Sequence, residues 1–225
     1  LFTNKKSTFL NVSLLAFTLL IFLSGCMGPS PEENIYSTLE KVVTLEDTFK
    51  DQQQPLLELE KKESDLYNEI MNLGMKEFEK VVALSKEALT LIDERESKIE
   101  AEYDSIISSK KEFAAVNEEI EKIDDEKLKE KVKDLKAKME DRYTSYESLY
   151  NTYKTSISLD KELYIMLQKE DLTLESLEAQ ITKVNDSYKK VMEENEKFNK
   201  LTEEYNELKI DFYKNAELNV EEVNS

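Results

Sequence analysis

From residue 32 onward the chain holds a single glycine, Gly74, and a single proline, Pro55. These two residue types are the strongest local punctuation a chain has, ending helices and forming turns. A long stretch with so little of either has almost no turn or strand punctuation, and no alternation of strands with helices can be read from it. Apolar residues instead recur every three to four positions among abundant Glu, Lys and Leu, the pattern of long helices. Charged residues make up 36% of the chain, which raises disorder as the competing reading. The regular phasing of the apolar positions argues against it.

The phase divides the chain into four arms. The first is predicted from about Asn34, with Ile35, Leu39, Val42, Leu45 and Phe49 on its apolar face. A kink or break is expected over residues 51–55, because Pro55 lacks an N–H and disfavours helix in the residue before it. Leu56, Leu59, Leu66 and Ile70 then resume the phase, and Gly74 is placed to end the arm as a left-handed C-cap. The second arm runs from about Met75 to Ile123 through Phe78, Val81, Leu84, Ala88, Leu91, Arg95, Ile99, Ile106, Phe113, Val116 and Ile120. Asp124 and Asp125 offer the next N-cap, with Ile123 and Leu128 spaced as a hydrophobic staple around Asp124.

Leu128, Val132, Leu135, Met139, Tyr143, Tyr146, Tyr150, Tyr153 and Ile157 mark the third arm, at about 3.6 residues per step, which suits a nearly straight helix. Thr173 caps the fourth, with Leu172 and Leu177 at staple positions. Its seam alternates by three and four through Leu174, Leu177, Ile181, Val184, Tyr188, Val191, Asn195, Phe198, Thr202 and Tyr205, a heptad pattern. Short turns make consecutive helices antiparallel neighbours. The predicted fold is all-α: an elongated up-and-down antiparallel bundle of about four long helices with coiled-coil-like packing, over residues 34–216, followed by a tail at 217–225.

Ahead of this body lies a different kind of segment. Lys5 and Lys6 precede an uncharged run from Phe9 to Phe22, followed by Leu23, Ser24, Gly25 and Cys26. The order of basic, apolar and small residues is that of a secretory signal. The run is shorter than the roughly 20 residues that span a bilayer as a helix. Leu23, Ser24, Gly25 and Cys26 resemble the lipobox of bacterial lipoproteins, which implies removal of residues 1–25 and a diacylglyceryl group on Cys26. Two acyl chains hold a protein firmly where one does so marginally. Residues 26–33, with Gly28, Pro29 and Pro31, are read as the lipidated cysteine and its tether. The location this implies is the extracytoplasmic face of the cell membrane.

Composition removes several function classes. The chain contains no histidine and one cysteine, so Ser-His-Asp and Cys-His catalysis and the usual zinc and di-iron bundle sites are excluded. There is no Gly-rich phosphate loop. Residues 1–25 hold two lysines and no acid, so the remainder carries 29 basic against 49 acidic residues, a net charge of about −20. That charge repels polyanions, and nucleic acid is not an expected partner. No cofactor is expected. Residues 124–126 and Glu193 with Glu194 are the carboxylate runs that could hold a hard cation, but neither has the oxygen spacing of a calcium loop, and solvated charge is the favoured reading. The tyrosines at 143, 146, 150 and 153 could stack on sugars if exposed, although their spacing favours the core. Arg95, Asn195 and Thr202 fall on otherwise apolar seams, and Asn195 is the candidate for setting helix register.

Residues 73–78 (LGMKEF), 159–164 (LDKELY) and 170–175 (EDLTLE) carry a further signal. With the lipobox and helical body, they make the chain resemble the YkyA family, lipoproteins of low-GC Gram-positive bacteria whose description names cell-wall binding. The resemblance implies a four-helix bundle and an association with the wall or an envelope protein; it transfers no catalytic or ligand residue. The expected function is therefore that of a lipid-anchored, non-enzymatic surface protein. The alternatives are a membrane-active, toxin-like helical protein and, less favoured, a wall-glycan hydrolase using paired carboxylates.

Overall fold

The computed structural model of the protein describes residues 28–218. Helix α1 spans Pro31–Leu45 and starts inside the stretch expected to be tether. Ser30 is the reason. Its hydroxyl accepts the Glu33 N–H at 3.2 Å, and the Glu33 carboxylate accepts the Ser30 N–H at 2.8 Å. The two bonds close a capping box. Pro31 occupies the first turn, where its missing N–H would have had no helical partner.

Helix α2 spans Asp47–Leu73 and continues through Pro55, so the chain does not break over residues 51–55. The chain departs from helical geometry earlier, at Glu46 (φ −90°, ψ 2°). A distant residue supplies the cause. Ser105 donates its hydroxyl to the Leu45 carbonyl at 2.6 Å and accepts the Phe49 N–H at 3.2 Å. Groups that the departure frees are thus satisfied from another helix.

The first arm ends at Gly74, whose φ of 61° is positive as expected, but its ψ of −176° is not the left-handed helical value. That combination is essentially restricted to glycine. A 3₁₀ turn over Gly74–Glu77 leads into α3 (Phe78–Phe113) and then the short α4 (Val116–Ile120). The second arm is therefore not one continuous helix. At Ala114 and Ala115 it tightens, with the Ala115 N–H reaching the Glu112 carbonyl at 3.1 Å. Helix α5 (Glu126–Met166) is capped by Asp125, one residue beyond the Asp124 of the staple reading. The Asp125 carboxylate accepts the N–H groups of Lys127 and Leu128 at 2.8 and 3.2 Å, the usual service of an N-cap side chain. Helix α6 (Leu174–Asn215) is capped by Thr173 as expected, through the Ser176 N–H at 3.2 Å.

These helices form the predicted up-and-down bundle. Lys131 with Asp211, Lys138 with Glu204, and Gln180 with the Leu159 carbonyl register α6 running back along α5. The ends of α1 and α6 meet, with the rings of Tyr36 and Tyr213 4.9 Å apart and Tyr213 donating to Glu40. Farther along, Phe49, Tyr146 and Phe198 form a triangle of rings, with centroids 5.6 Å, 5.7 Å and 5.3 Å apart. Aromatic pairs at such spacings attract edge to face, and this triangle ties α2 and α5 to α6. Around these rings lies one apolar cluster, built on Ile35, Leu39, Ile106, Val132, Leu135 and Met139. A second lies toward the other end, on Ile70, Val81, Ile92, Ile99, Ile157 and Leu167. Each fully buried aliphatic side chain contributes about 1.5–3 kcal/mol relative to leaving it in water. Over the second cluster α2 and α6 no longer close on each other, and a cleft opens between them.

Candidate functional site

The chain has two arginines, and both are buried. Arg142, 4% exposed, lies at the Glu46 bend. Its terminal nitrogens donate to the two carboxylate oxygens of Glu46 at 2.9 and 2.7 Å, and its Nε donates to the Thr202 hydroxyl at 2.9 Å. The guanidinium also rests 4.8 Å above the Phe198 ring, where the ring face attracts a cation. One cation meets one anion, and the site is electrically balanced.

Arg95, 1% exposed, is not balanced in this way. Its Nη1 donates to Glu63 and, at 3.3 Å, to Asp160; its Nη2 donates to the Tyr188 hydroxyl at 2.6 Å and its Nε to the Tyr153 hydroxyl at 3.2 Å. Tyr188 donates its own proton to Asp160 at 2.5 Å, and Tyr153 donates its proton to Glu60 at 2.5 Å. Every nitrogen of the guanidinium is occupied. Glu63 and Asp160 are 6% and 3% exposed, so two buried carboxylates share one cation, with Glu60 reached through Tyr153. Burial pushes the Glu63 carboxyl up to about 7, against the pull of Arg95 and with Asp160 and Glu60 adding to the rise; a low-dielectric surrounding disfavours the charged form. Burial also raises Asp160, opposed by its bonds to Tyr188 and Arg95.

Between the two arginine sites lies a third buried acid. Glu102 accepts from the Gln53 amide at 2.7 Å and the Tyr146 hydroxyl at 3.3 Å, and no cation among the described residues bonds it. Burial drives its carboxyl up to about 8. Arg95, Glu102 and Ser109 recur every seven residues on α3, continuing the line of Ala88 and running on to Val116, all buried. The heptad position that would ordinarily be apolar here carries a column of polar groups facing inward.

The Arg95 cluster forms the floor of the cleft between α2 and α6, a space of about 490 Å³. Glu60, Glu63 and Tyr67 line it from α2, Asp160 and Tyr164 from α5, and Asn185 and Tyr188 from α6. Leu163, Ile181 and Val184 form its apolar wall. Only one oxygen of each carboxylate is engaged: the other oxygens of Glu60, Glu63 and Asp160 have no hydrogen-bond partner among the described residues. The cleft thus offers acceptors, aromatic rings and an apolar wall.

The residues singled out from sequence are distributed unevenly over this structure. Tyr143, Tyr146 and Tyr153 are buried, bonded to Ser109, Glu102 and Arg95 respectively, and Tyr150 is half-buried, stacked 4.2 Å from Tyr103. The tyrosine stripe is core. Thr202 serves Arg142, and Arg95 is the floor of the cleft. Asn195 is exposed and accepts from the Asn199 amide at 3.3 Å, so it takes no part in helix register. Asp125 is occupied as a helix cap, and Asp124, Glu126 and Glu193 are exposed. Leu23, Ser24, Gly25 and Cys26 lie outside the described residues. Sequence reasoning misses Glu63, Glu102, Asp160 and Arg142; at heptad spacing, a polar residue on a seam is the signal that could have found Glu102. The three segments 73–78, 159–164 and 170–175 gather at the end of the bundle where the cleft lies, the first and last as its two turns.

The fold and the site together define a class: an all-helical body with charged groups neutralised inside it and an open, carboxylate-lined cleft between two of its helices. The chain belongs to the YkyA family, whose model, described as "Putative cell-wall binding lipoprotein", matches residues 30–215. It is similar to the uncharacterized lipoprotein YkyA of Bacillus subtilis (strain 168), with 39% identity over 169 residues that cover 75% of this chain and 76% of that protein. Among solved structures it is similar to a conserved protein of unknown function from Staphylococcus aureus, known from a 1.6 Å crystal structure, with a TM-score of 0.61 and 21% identity over 84% of this chain and 98% of that one. That likeness shows the shared fold. No helix among the described residues is long and apolar enough to cross a membrane.

Proposed function

We propose that the protein is a lipid-anchored, non-enzymatic surface lipoprotein whose bundle carries a binding cleft away from the membrane, toward wall material or another envelope protein. The reading rests on where the cleft lies. Glu63 is some thirty residues along the first arm from Pro31, roughly 45–50 Å at 1.5 Å per residue. Cys26 precedes Pro31 by only five residues. An anchor at Cys26 therefore holds one end of the bundle at the membrane and leaves the cleft near the other. Such a separation serves a protein that binds something beyond the headgroup layer.

Two measurements on the full chain in cells test this. Wild-type protein is expected to stay with washed membranes and the Cys26→Ala variant to be released; equal retention of both would refute the anchor. A photo-crosslinking residue at Asn185, in the cleft, is expected to capture muramidase-solubilised wall fragments or an envelope protein, whereas one at Lys127, near the anchored end, is not. Equal capture at both would refute the cleft as the binding site. A cleared zone on a wall zymogram would turn the reading to hydrolysis.

A further inference from the structure

The two arginine sites make an internal comparison. Both guanidiniums are buried and fully hydrogen-bonded, and both stand beside aromatic rings. Arg142 meets one carboxylate and is sealed in packed core. Arg95 meets two, with a third one bond away, and opens into a cleft. Buried charge without a partner is expensive, so an excess of anion at the poorly solvated floor of a cleft favours a proton or a cation. Around Glu63 stand Glu60 on its own helix, Arg95 on α3, Tyr153, Asp160 and Tyr164 on α5, and Tyr188 on α6. Arg95 is the sole cation among them.

We propose that the α2–α6 cleft binds a primary ammonium group carried on an alkyl stem, as in a lysine-like side chain of a peptide. An ammonium donates N–H bonds and accepts none, and Glu63 and Asp160, with Glu60 beside them, each keep one oxygen without a hydrogen-bond partner among the described residues, so it can pair with one or two of them at the cleft floor. Tyrosine rings at the cleft suit a cation. Leu163, Ile181 and Val184 give the methylenes of the stem an apolar wall, which an amino sugar would not use. A hard metal ion fits less well, because calcium takes six to eight oxygens and the described residues contain no group of three or more candidate ligands placed to hold a metal.

Binding is coupled to a proton. With Glu63 held near 7, the empty site is mostly protonated there at pH 6 and mostly ionised at pH 8. The ammonium needs the ionised form, so it displaces that proton, and its affinity rises about tenfold over this interval.

The proposal rests on the cleft being the binding site, and its test is separate from the crosslinking. The full chain in detergent is titrated calorimetrically with the peptide Gly-Lys-Gly blocked by N-terminal acetylation and C-terminal amidation, with the Nε-acetylated form of that blocked peptide, and with glucosamine. The lysine peptide is expected to bind, about tenfold more tightly at pH 8 than at pH 6, and Nε-acetylation to weaken it at least tenfold. Glu63→Gln, which keeps the bond to Arg95 and removes the charge, is expected to weaken binding at least tenfold. Ser64→Trp, at the exposed mouth, gives the same loss without touching the core, and decides the matter if Glu63→Gln does not fold. Equal binding of the Nε-acetylated peptide, or of glucosamine, overturns the proposal. So does the absence of heat with all three, even when crosslinking at Asn185 succeeds.

Discussion

Glu46 is the place to perturb the bundle. Replacing it with alanine removes both carboxylate oxygens from the buried Arg142 guanidinium, and with them one of the partners of the Ser109 hydroxyl, at 2.6 Å. Arg142 keeps Thr202 and the Phe198 face, but its charge is left without an anion. Breaking a buried pair from one side costs about 3–5 kcal/mol. The Glu46 side chain is 15% exposed, so water can partly replace it and the lower end applies, about 3 kcal/mol. In a domain of this size that lowers the unfolding midpoint by about 6–12 °C. The double variant Glu46→Leu/Arg142→Met removes both charges, and the desolvation that opposed the pair goes with them. Its stability is expected within about 1 kcal/mol of wild type. Urea unfolding at pH 7, followed by circular dichroism in the far ultraviolet, measures both. A single variant that loses less than about 1 kcal/mol, or a double variant as unstable as the single, would refute the argument.

A carboxyl raised by folding binds its proton more tightly in the folded state, so the stability it contributes is complete below its unfolded pKa and lost as pH rises through the folded one. For Glu102 and Glu63, at about 8 and 7, stability is therefore expected to fall between pH 5 and pH 8.5, and Glu102→Gln to flatten that slope and raise the midpoint at pH 8, in thermal unfolding scans across the range. An unchanged slope in Glu102→Gln counts against it as the source. Gly74→Ala meets no atom within 4 Å. Its cost is that of the backbone alone, about 1–3 kcal/mol in urea, and a neutral result would show that the turn can re-form with another geometry.

The fold is legible because the bundle is held by what the sequence repeats. Apolar phase locates all four arms, and Thr173 caps its helix where its side chain predicts. The misplaced boundaries have causes in three dimensions or in a neglected rule. Pro55 has the local chemistry of a break, but the departure occurs at Glu46, where Ser105 satisfies the freed backbone groups and Arg142 holds the carboxylate. Nothing within ten residues of Glu46 announces either partner. Pro31 reads as tether because proline is foreign to helix interiors, although in a first turn beside Ser30 and Glu33 it starts one. The site is harder to see. Glu63 and Asp160 look like two of many surface acids in a strongly acidic chain, and only the packing of four helices brings them to one guanidinium. Arg95 alone stands out, as a charge on an apolar seam. Asn195 stands out in the same way yet lies at the surface, since the heptad phase that places it on the seam does not hold there.

The meeting of α1 and α6 at one end, with the Gly74 turn and the turn between α5 and α6 at the other, also decides how the body would carry a load. A pull on the turn end, resisted at the membrane, acts along the helix axes. Neighbouring helices must then slide past each other along their whole length, and many side-chain contacts must yield together. The Arg142 and Arg95 clusters lie across that direction of slip at two different heights, each joining three or more helices. A force prising α2 and α6 apart sideways at the cleft is opposed there chiefly by the bonds from Arg95 to Glu63 and Tyr188 across its floor. The same bundle is therefore stiff as a strut and soft as a clasp, and its compliance is concentrated where it has room for a guest.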